Sequence, residues 1–123
     1  MKRILIIDDA ATVRMYHRNI LQTAGYAVDE AINGMEALEK ALQTRFDLYL
    51  VDVNMPKLDG YGFLRELRSQ DVAQAPAIMI STEASADDRK RAYAAGANLY
   101  LVKPMQPEQL LAPIALLLGD ATP

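Results

Sequence analysis

Apolar residues recur along this chain in two patterns that take turns. Short unbroken runs, Ile4-Leu5-Ile6-Ile7 and Leu48-Tyr49-Leu50-Val51, show no polar residue at alternate places. The longer stretches Thr12 to Ala24 and Met35 to Gln43 instead return to apolar residues every three or four positions. The first pattern predicts strands buried on both faces, the second helices with one apolar face. The same rhythm predicts strands at Ala27 to Ala31, Ala77 to Ile80 and Leu99 to Val102, and helices over Tyr61 to Arg68, Asp87 to Ala95 and Pro107 toward Leu118. Five strands alternating with five helices specify an α/β domain with a doubly wound, parallel five-stranded sheet flanked by helices.

Chain-breaking residues support these boundaries. Gly25 and Gly96 stand where helix C-caps belong, Pro56 and the Asp59-Gly60 pair punctuate the loop after the third strand, and Pro76 precedes the fourth. The last helix is irregular. Pro113 removes an interior hydrogen-bond donor and its ring strikes the preceding turn, which predicts a kink or a restart near Ala112. Leu110, Leu111, Ile114, Leu117 and Leu118 form one apolar stripe, and Leu116 falls off it. The segment reads as a core helix, with a docking surface as the alternative; docking fails if its apolar side chains are buried against their own sheet.

Composition narrows the classes of function. With 123 residues, about half of them apolar, the chain can bury one core and has no room for a second folded domain, so a single domain over 1–123 is expected. A net charge of -3 with interspersed signs provides no basic footprint for nucleic acid and no polybasic stretch for a membrane surface. The absence of cysteine excludes disulfides and thiolate metal sites. Met1-Lys2-Arg3 followed by an apolar run has the order of a signal peptide, but the run ends at Asp8-Asp9 after four residues. It reads as a strand of a cytoplasmic protein without membrane insertion.

In an open parallel sheet, ligands gather at the carboxyl ends of the strands. Those ends carry Asp8 and Asp9, Asp52, Ser81 and Thr82, and Lys103-Pro104. Converging carboxylates repel one another, and a cation is the natural compensation. Mg²⁺ takes one or two carboxylates, waters and a phosphate oxygen, a set that Asp8 or Asp9, Asp52 and a loop carbonyl near Asn54 could provide. Lys103 and Ser81 suit phosphoryl oxygens, so the group reads as a site of phosphoryl transfer to an in-line carboxylate. Each residue alone has a plainer reading: Asp8-Asp9 as a helix N-cap, Asp52 as a turn residue, Ser81 and Thr82 as caps of the helix beginning near Ser85, Lys103 as a solvated loop lysine. What outweighs these readings is the convergence of four polar groups at the ends of strands one, three, four and five.

These residues closely resemble the receiver domains of bacterial two-component response regulators over residues 2 to 118. The matching motifs are Ile6-Ile7-Asp8-Asp9, Leu50-Val51-Asp52-Val53-Asn54-Met55-Pro56 with Asp59-Gly60, Ser81, Ala95-Gly96-Ala97, and Leu101-Val102-Lys103-Pro104. The resemblance implies a flavodoxin-like strand order of 2-1-3-4-5, Asp52 as phosphoacceptor, and an acid pocket of Asp8 and Asp9. It further implies Mg²⁺ held directly by Asp9, Asp52 and the Asn54 backbone carbonyl, with Asp8 acting through water. Ser81 and Lys103 would bind the phosphoryl group, and the Lys103-Pro104 peptide would be cis. As switch residues it implies Ser81, moving toward the phosphoryl group, and Tyr100, turning inward. Without the resemblance, Tyr100 reads as a sheet-edge tyrosine with a solvated hydroxyl.

The run Ser81-Thr82-Glu83-Ala84 and the pair Asn54 and Glu83 resemble the single-domain chemotaxis type. That implies a chemotaxis histidine kinase as phosphodonor and the flagellar motor switch as target, with the protein a monomer or weak dimer. Met105 after Lys-Pro and Ala10 beside the acid pair depart from the family pattern, so phosphoryl lifetime and partner choice do not carry over. A phosphorelay or phosphate-sink role is the first alternative. An independent Mg²⁺-dependent aspartyl-phosphate phosphohydrolase is another, disfavoured because such enzymes usually carry Asp-x-Asp on the first strand; a phosphorylation-independent interaction module is the third. His17, the sole histidine, lies among Arg14, Tyr16 and Arg18 and reads as a solvated surface residue.

Overall fold

The computed structural model describes residues 1–120. Its elements are β1 (Arg3–Ile7), α1 (Ala11–Thr23), β2 (Ala27–Ala31), α2 (Gly34–Gln43), β3 (Leu48–Asp52), α3 (Gly60–Ser69), β4 (Ala77–Ser81), α4 (Ala86–Ala95), β5 (Leu99–Val102) and α5 (Pro107–Leu118). All ten lie within one residue of the boundaries expected from periodicity. The strands are parallel in the order β2-β1-β3-β4-β5, as the family resemblance implied. β3 and β4 each run one residue further than their apolar runs, taking in Asp52 and Ser81, because pairing of Asp52 with Ile80 and of Ser81 with Val102 keeps the ladder intact to those positions.

Alternate residues of the strands supply two cores. Leu5, Ile7, Tyr49, Val51, Ala77 and Met79 pack with Ala37, Phe63, Leu64, Leu67, Ala92 and Ala95 of α2, α3 and α4. Ile4, Ile6, Leu48, Leu50, Ile78 and Ile80 pack with Leu21 of α1 and with Leu110 and Ile114 of α5. Two covered faces explain why the strands lack polar alternation.

Local chemistry starts the helices where the loops must end. Asn33 accepts from the Glu36 N–H at 2.8 Å, Asp59 from the Gly62 N–H at 2.8 Å, and Ser85 from the Asp88 N–H at 3.1 Å. Ser85 therefore caps α4, and Ser81 and Thr82 do not. Gly96 ends α4 with a φ of 113°, a left-handed conformation suited to glycine. α5 runs without a restart from Pro107 to Leu118 around Pro113. Leu110 and Ile114, fully buried on either side of the proline, hold successive turns to the sheet. Leu111, Leu117 and Leu118 are partly buried against the same core and Leu116 is 79% exposed, so most of the apolar stripe is spent on this sheet.

Candidate phosphoacceptor site

Asp8, Asp9, Asp52 and Lys103 meet at the carboxyl edge because each follows or ends a strand whose backbone is still paired. The Asp8 N–H donates to the Ala31 carbonyl at 3.1 Å, and the Lys103 N–H to the Ser81 carbonyl at 2.8 Å. Past Asp52 the chain is tied twice more. The Val53 N–H donates to Ile80 at 3.1 Å, and its carbonyl accepts from Gly60 at 2.9 Å. Gly60 is required there: a Cβ would stand 2.4 Å from the Asp52 carbonyl oxygen. The same loop braces α2, since the Lys57 and Leu58 carbonyls accept from Met35 and Gly34 at 3.2 and 3.1 Å.

Asp8, Asp9 and Asp52 each place a carboxylate oxygen within 4.8 Å of the others. Asp8 and Asp52 are buried and Asp9 is exposed, which leaves the cluster open on one side. Lys103 bridges the buried pair, its Nζ 3.1 Å from Asp8 Oδ2 and 3.1 Å from Asp52 Oδ1. Burial and then the Asp8 charge push the Asp52 carboxyl above the usual aspartate range, with Lys103 opposing. Burial lowers the Lys103 ammonium, but Asp52 and Asp8 outweigh it and hold it above the ordinary lysine range. One lysine thus incompletely compensates three acids, and a hard divalent cation fits oxygen donors at this spacing. The Lys103-Pro104 peptide is cis.

The remaining expected site residues lie around this group. Ser81, buried beside Asp52 at the end of the next strand, accepts from the Glu83 N–H through its Oγ at 3.1 Å. Asn54 is exposed two residues beyond Asp52. Tyr100 is not the solvated edge residue that its position alone suggests: it is 3% exposed and its hydroxyl donates to the Glu83 carbonyl at 2.7 Å. The Asp8-Asp9 pair does not cap α1 either. Ala10 occupies the N-cap without a side-chain bond, and Asp8 Oδ1 accepts from the Ala10 N–H at 2.9 Å. Sequence reasoning missed one brace, Arg14, which donates to the Asp8 carbonyl at 2.7 Å and to Glu30 at 2.8 Å.

The expectation for His17 is corrected. It is 3% exposed, and its Nδ1 has no hydrogen-bond partner among the described residues. Burial lowers its pKa below 6.5, partly offset by Asp8. The helical phase is the reason, for residue 17 lies one turn from both Val13 and Leu21 on the apolar face. Stability contributed by the neutral imidazole is full above pH 6.5 and is lost as pH falls through the depressed folded value. Each unit of depression is worth about 1.4 kcal/mol. Urea denaturation between pH 7.5 and 5 should therefore show a steeper loss in the wild type than in His17→Leu; parallel slopes would contradict this.

A cavity of about 500 Å³ between Lys2, Tyr26 and Leu111 lies at the opposite edge of the sheet. Chemistry, rather than size, picks out the carboxylate edge. No described helix is long and apolar enough to cross a membrane.

The chain is similar to known proteins over most of its length. Residues 4–115 match the family model described as response regulator receiver domain. The transcriptional regulatory protein ResD of Bacillus subtilis is 36% identical over 120 residues, which cover 98% of this chain and 49% of ResD. The chain therefore spans about half the length of that curated relative. Among solved structures, the chemotaxis protein CheY4 of Vibrio cholerae is 39% identical with a TM-score of 0.90, the match covering 95% of this chain and 98% of that one. The receiver domain of the sensor histidine kinase PA1611 of Pseudomonas aeruginosa is 31% identical with a TM-score of 0.90, covering 97% of this chain and 98% of that one. That structure holds a magnesium ion coordinated in its active-site cleft.

Proposed function

We propose, from the premise that the chain belongs to the response regulator receiver domains, that it is a phosphorylation-operated switch whose acceptor is the Asp52 carboxylate. The observation that carries this reading is the bridge of Lys103 to both Asp8 and Asp52 within a cluster of three acids. Receiver domains bind Mg²⁺ in this acidic site, and Asp8, Asp9, Asp52 and the Asn54 backbone carbonyl are the groups that would hold it here. The ion supplies charge neutralisation at the phosphoryl oxygens.

Chemically, the ionised Asp52 carboxylate attacks the donor's phosphorus. A P–O bond to Asp52 forms as the P–N bond of a phosphohistidine breaks, and the released imidazole takes up a proton from solvent. Lys103 stays near the new phosphoryl charge, and Ser81 offers a hydroxyl. Added charge at Asp52 then biases Ser81 and Tyr100, remodelling the surface around α4 and β5.

A histidine kinase is the donor and another protein the target. Likeness to CheY4 and the run Ser81 to Ala84 support a chemotaxis-type output such as motor-switch binding. Likeness to ResD supports a transcriptional output reached through further sequence. Relay and sink roles use the same acceptor and differ in what receives the phosphoryl group. The phosphohydrolase alternative finds no support, since Asp52 ends the third strand and the matched family is a receiver.

Intact mass after incubation with acetyl phosphate and Mg²⁺ tests the acceptor. The wild type should gain one base-labile phosphoryl group and Asp52→Asn none. Equal gain by both would end the assignment.

A further inference from the structure

Tyr61 is a buried polar residue for which the phosphoacceptor chemistry has no use. Its side chain is 2% exposed, and its hydroxyl has no hydrogen-bond partner among the described residues. A buried hydroxyl left unpaired is costly, so an arrangement that pairs it has an advantage. Tyr61 is also firmly tied to the acceptor. It follows Gly60, whose N–H bonds to the Val53 carbonyl and whose Cα abuts the Asp52 backbone.

On its other side Tyr61 faces α4. α4 buries only Ala92 and Ala95. Two of its arginines lie over aromatic rings, Arg91 at 4.2 Å from the Tyr61 ring centroid and Arg89 at 5.2 Å from that of Tyr100. Tyr61 and Tyr100 share one buried cluster with those two alanines. Burial and then the neighbouring Tyr100 hold the Tyr61 hydroxyl above the usual tyrosine range. Of the two phenols beneath α4, Tyr100 is satisfied by the Glu83 carbonyl and Tyr61 is not.

We propose that Tyr61 is a further switch residue, whose hydroxyl gains a hydrogen-bond partner when the segment from Ser81 into α4 shifts, so that it favours the shifted arrangement. The proposal rests on the reading of Asp52 as phosphoacceptor. A modification shifts a two-state element only by its differential interaction with the two states, and Tyr61 makes the unshifted state less favourable by a fixed amount. Tyr61→Phe keeps the ring and its arginine and removes only that bias.

The test is an amide-resolved NMR titration of wild type and Tyr61→Phe with beryllofluoride and Mg²⁺, following Glu83 and Tyr100, together with urea denaturation of each unliganded protein. Tyr61→Phe should have an equal or higher urea midpoint, yet bind beryllofluoride about fivefold more weakly, the worth of one net hydrogen bond. A lower midpoint would mean that the hydroxyl is already paired, and equal or tighter binding would mean that it does not favour the shifted state; either overturns the proposal. A wild type without a saturable response would fail the phosphoacceptor reading and this inference with it, whereas a normal wild-type response with unchanged affinity in Tyr61→Phe would sink the role of Tyr61 alone.

Discussion

Lys103→Met is expected to lower the unfolding free energy at pH 8 by about 3 kcal/mol, the lower end of the cost of removing one partner from a buried ion pair. The cost does not come from the lost contacts alone. Nζ lies 3.1 Å from Asp8 and 3.1 Å from Asp52, and without it two buried carboxylates face each other with Asp9 nearby. Protonation is their only local escape, so the Asp52 carboxyl, already raised, must rise further. A carboxyl raised in the fold destabilises above its folded value and ceases to do so as pH falls through that value toward 3.8. The deficit of Lys103→Met should therefore shrink from pH 8 to pH 5, while Asp52→Asn added to Lys103→Met should restore most of the loss at pH 8. Urea titrations of the three proteins decide this. A single variant as stable as wild type at pH 8, or a double variant no better than the single, would show that the lysine does not compensate the acids.

Magnesium should reverse the stability order of wild type and Asp52→Asn. In EDTA the variant is expected to be the more stable, because a neutral amide relieves a carboxyl that burial and Asp8 hold above its usual range. At a Mg²⁺ concentration a hundredfold above its dissociation constant, the wild type should gain about 2.7 kcal/mol from binding to the folded state only. Asp52→Asn, lacking one of the carboxylates grouped within 4.8 Å, should gain much less and fall below it. Lowering the pH in EDTA should stabilise the wild type relative to the variant as Asp52 takes up its proton. Thermal unfolding in the two buffers reads the crossover, and a variant that gains as much from Mg²⁺ as the wild type would remove Asp52 from the metal site.

Much of the site was legible in the chain because strand ends are legible. An apolar run that stops at Asp8, Asp52, Ser81 or Lys103 both defines the strand and names the residue at its carboxyl end, and in a parallel sheet those ends share an edge. His17 has polar neighbours in the chain that point to solvent, yet its spacing from Val13 and Leu21 places it on the buried face. Tyr100 is buried for a related reason. An edge strand in a doubly wound sheet still has two covered faces, and α4 lies over one of them.

Thus the order and extent of the ten elements, the two-faced burial of the sheet and the identity of the acids at its edge were determined by the sequence itself, since apolar periodicity and turn chemistry act over a few residues. The tertiary structure decided the rest: the bridging of Asp8 and Asp52 by Lys103, the satisfied hydroxyl of Tyr100 and the unsatisfied one of Tyr61. Lys103 and Asp8 are 95 residues apart in the chain. Their meeting depends on strand order, register and helix packing acting together, which no local pattern encodes.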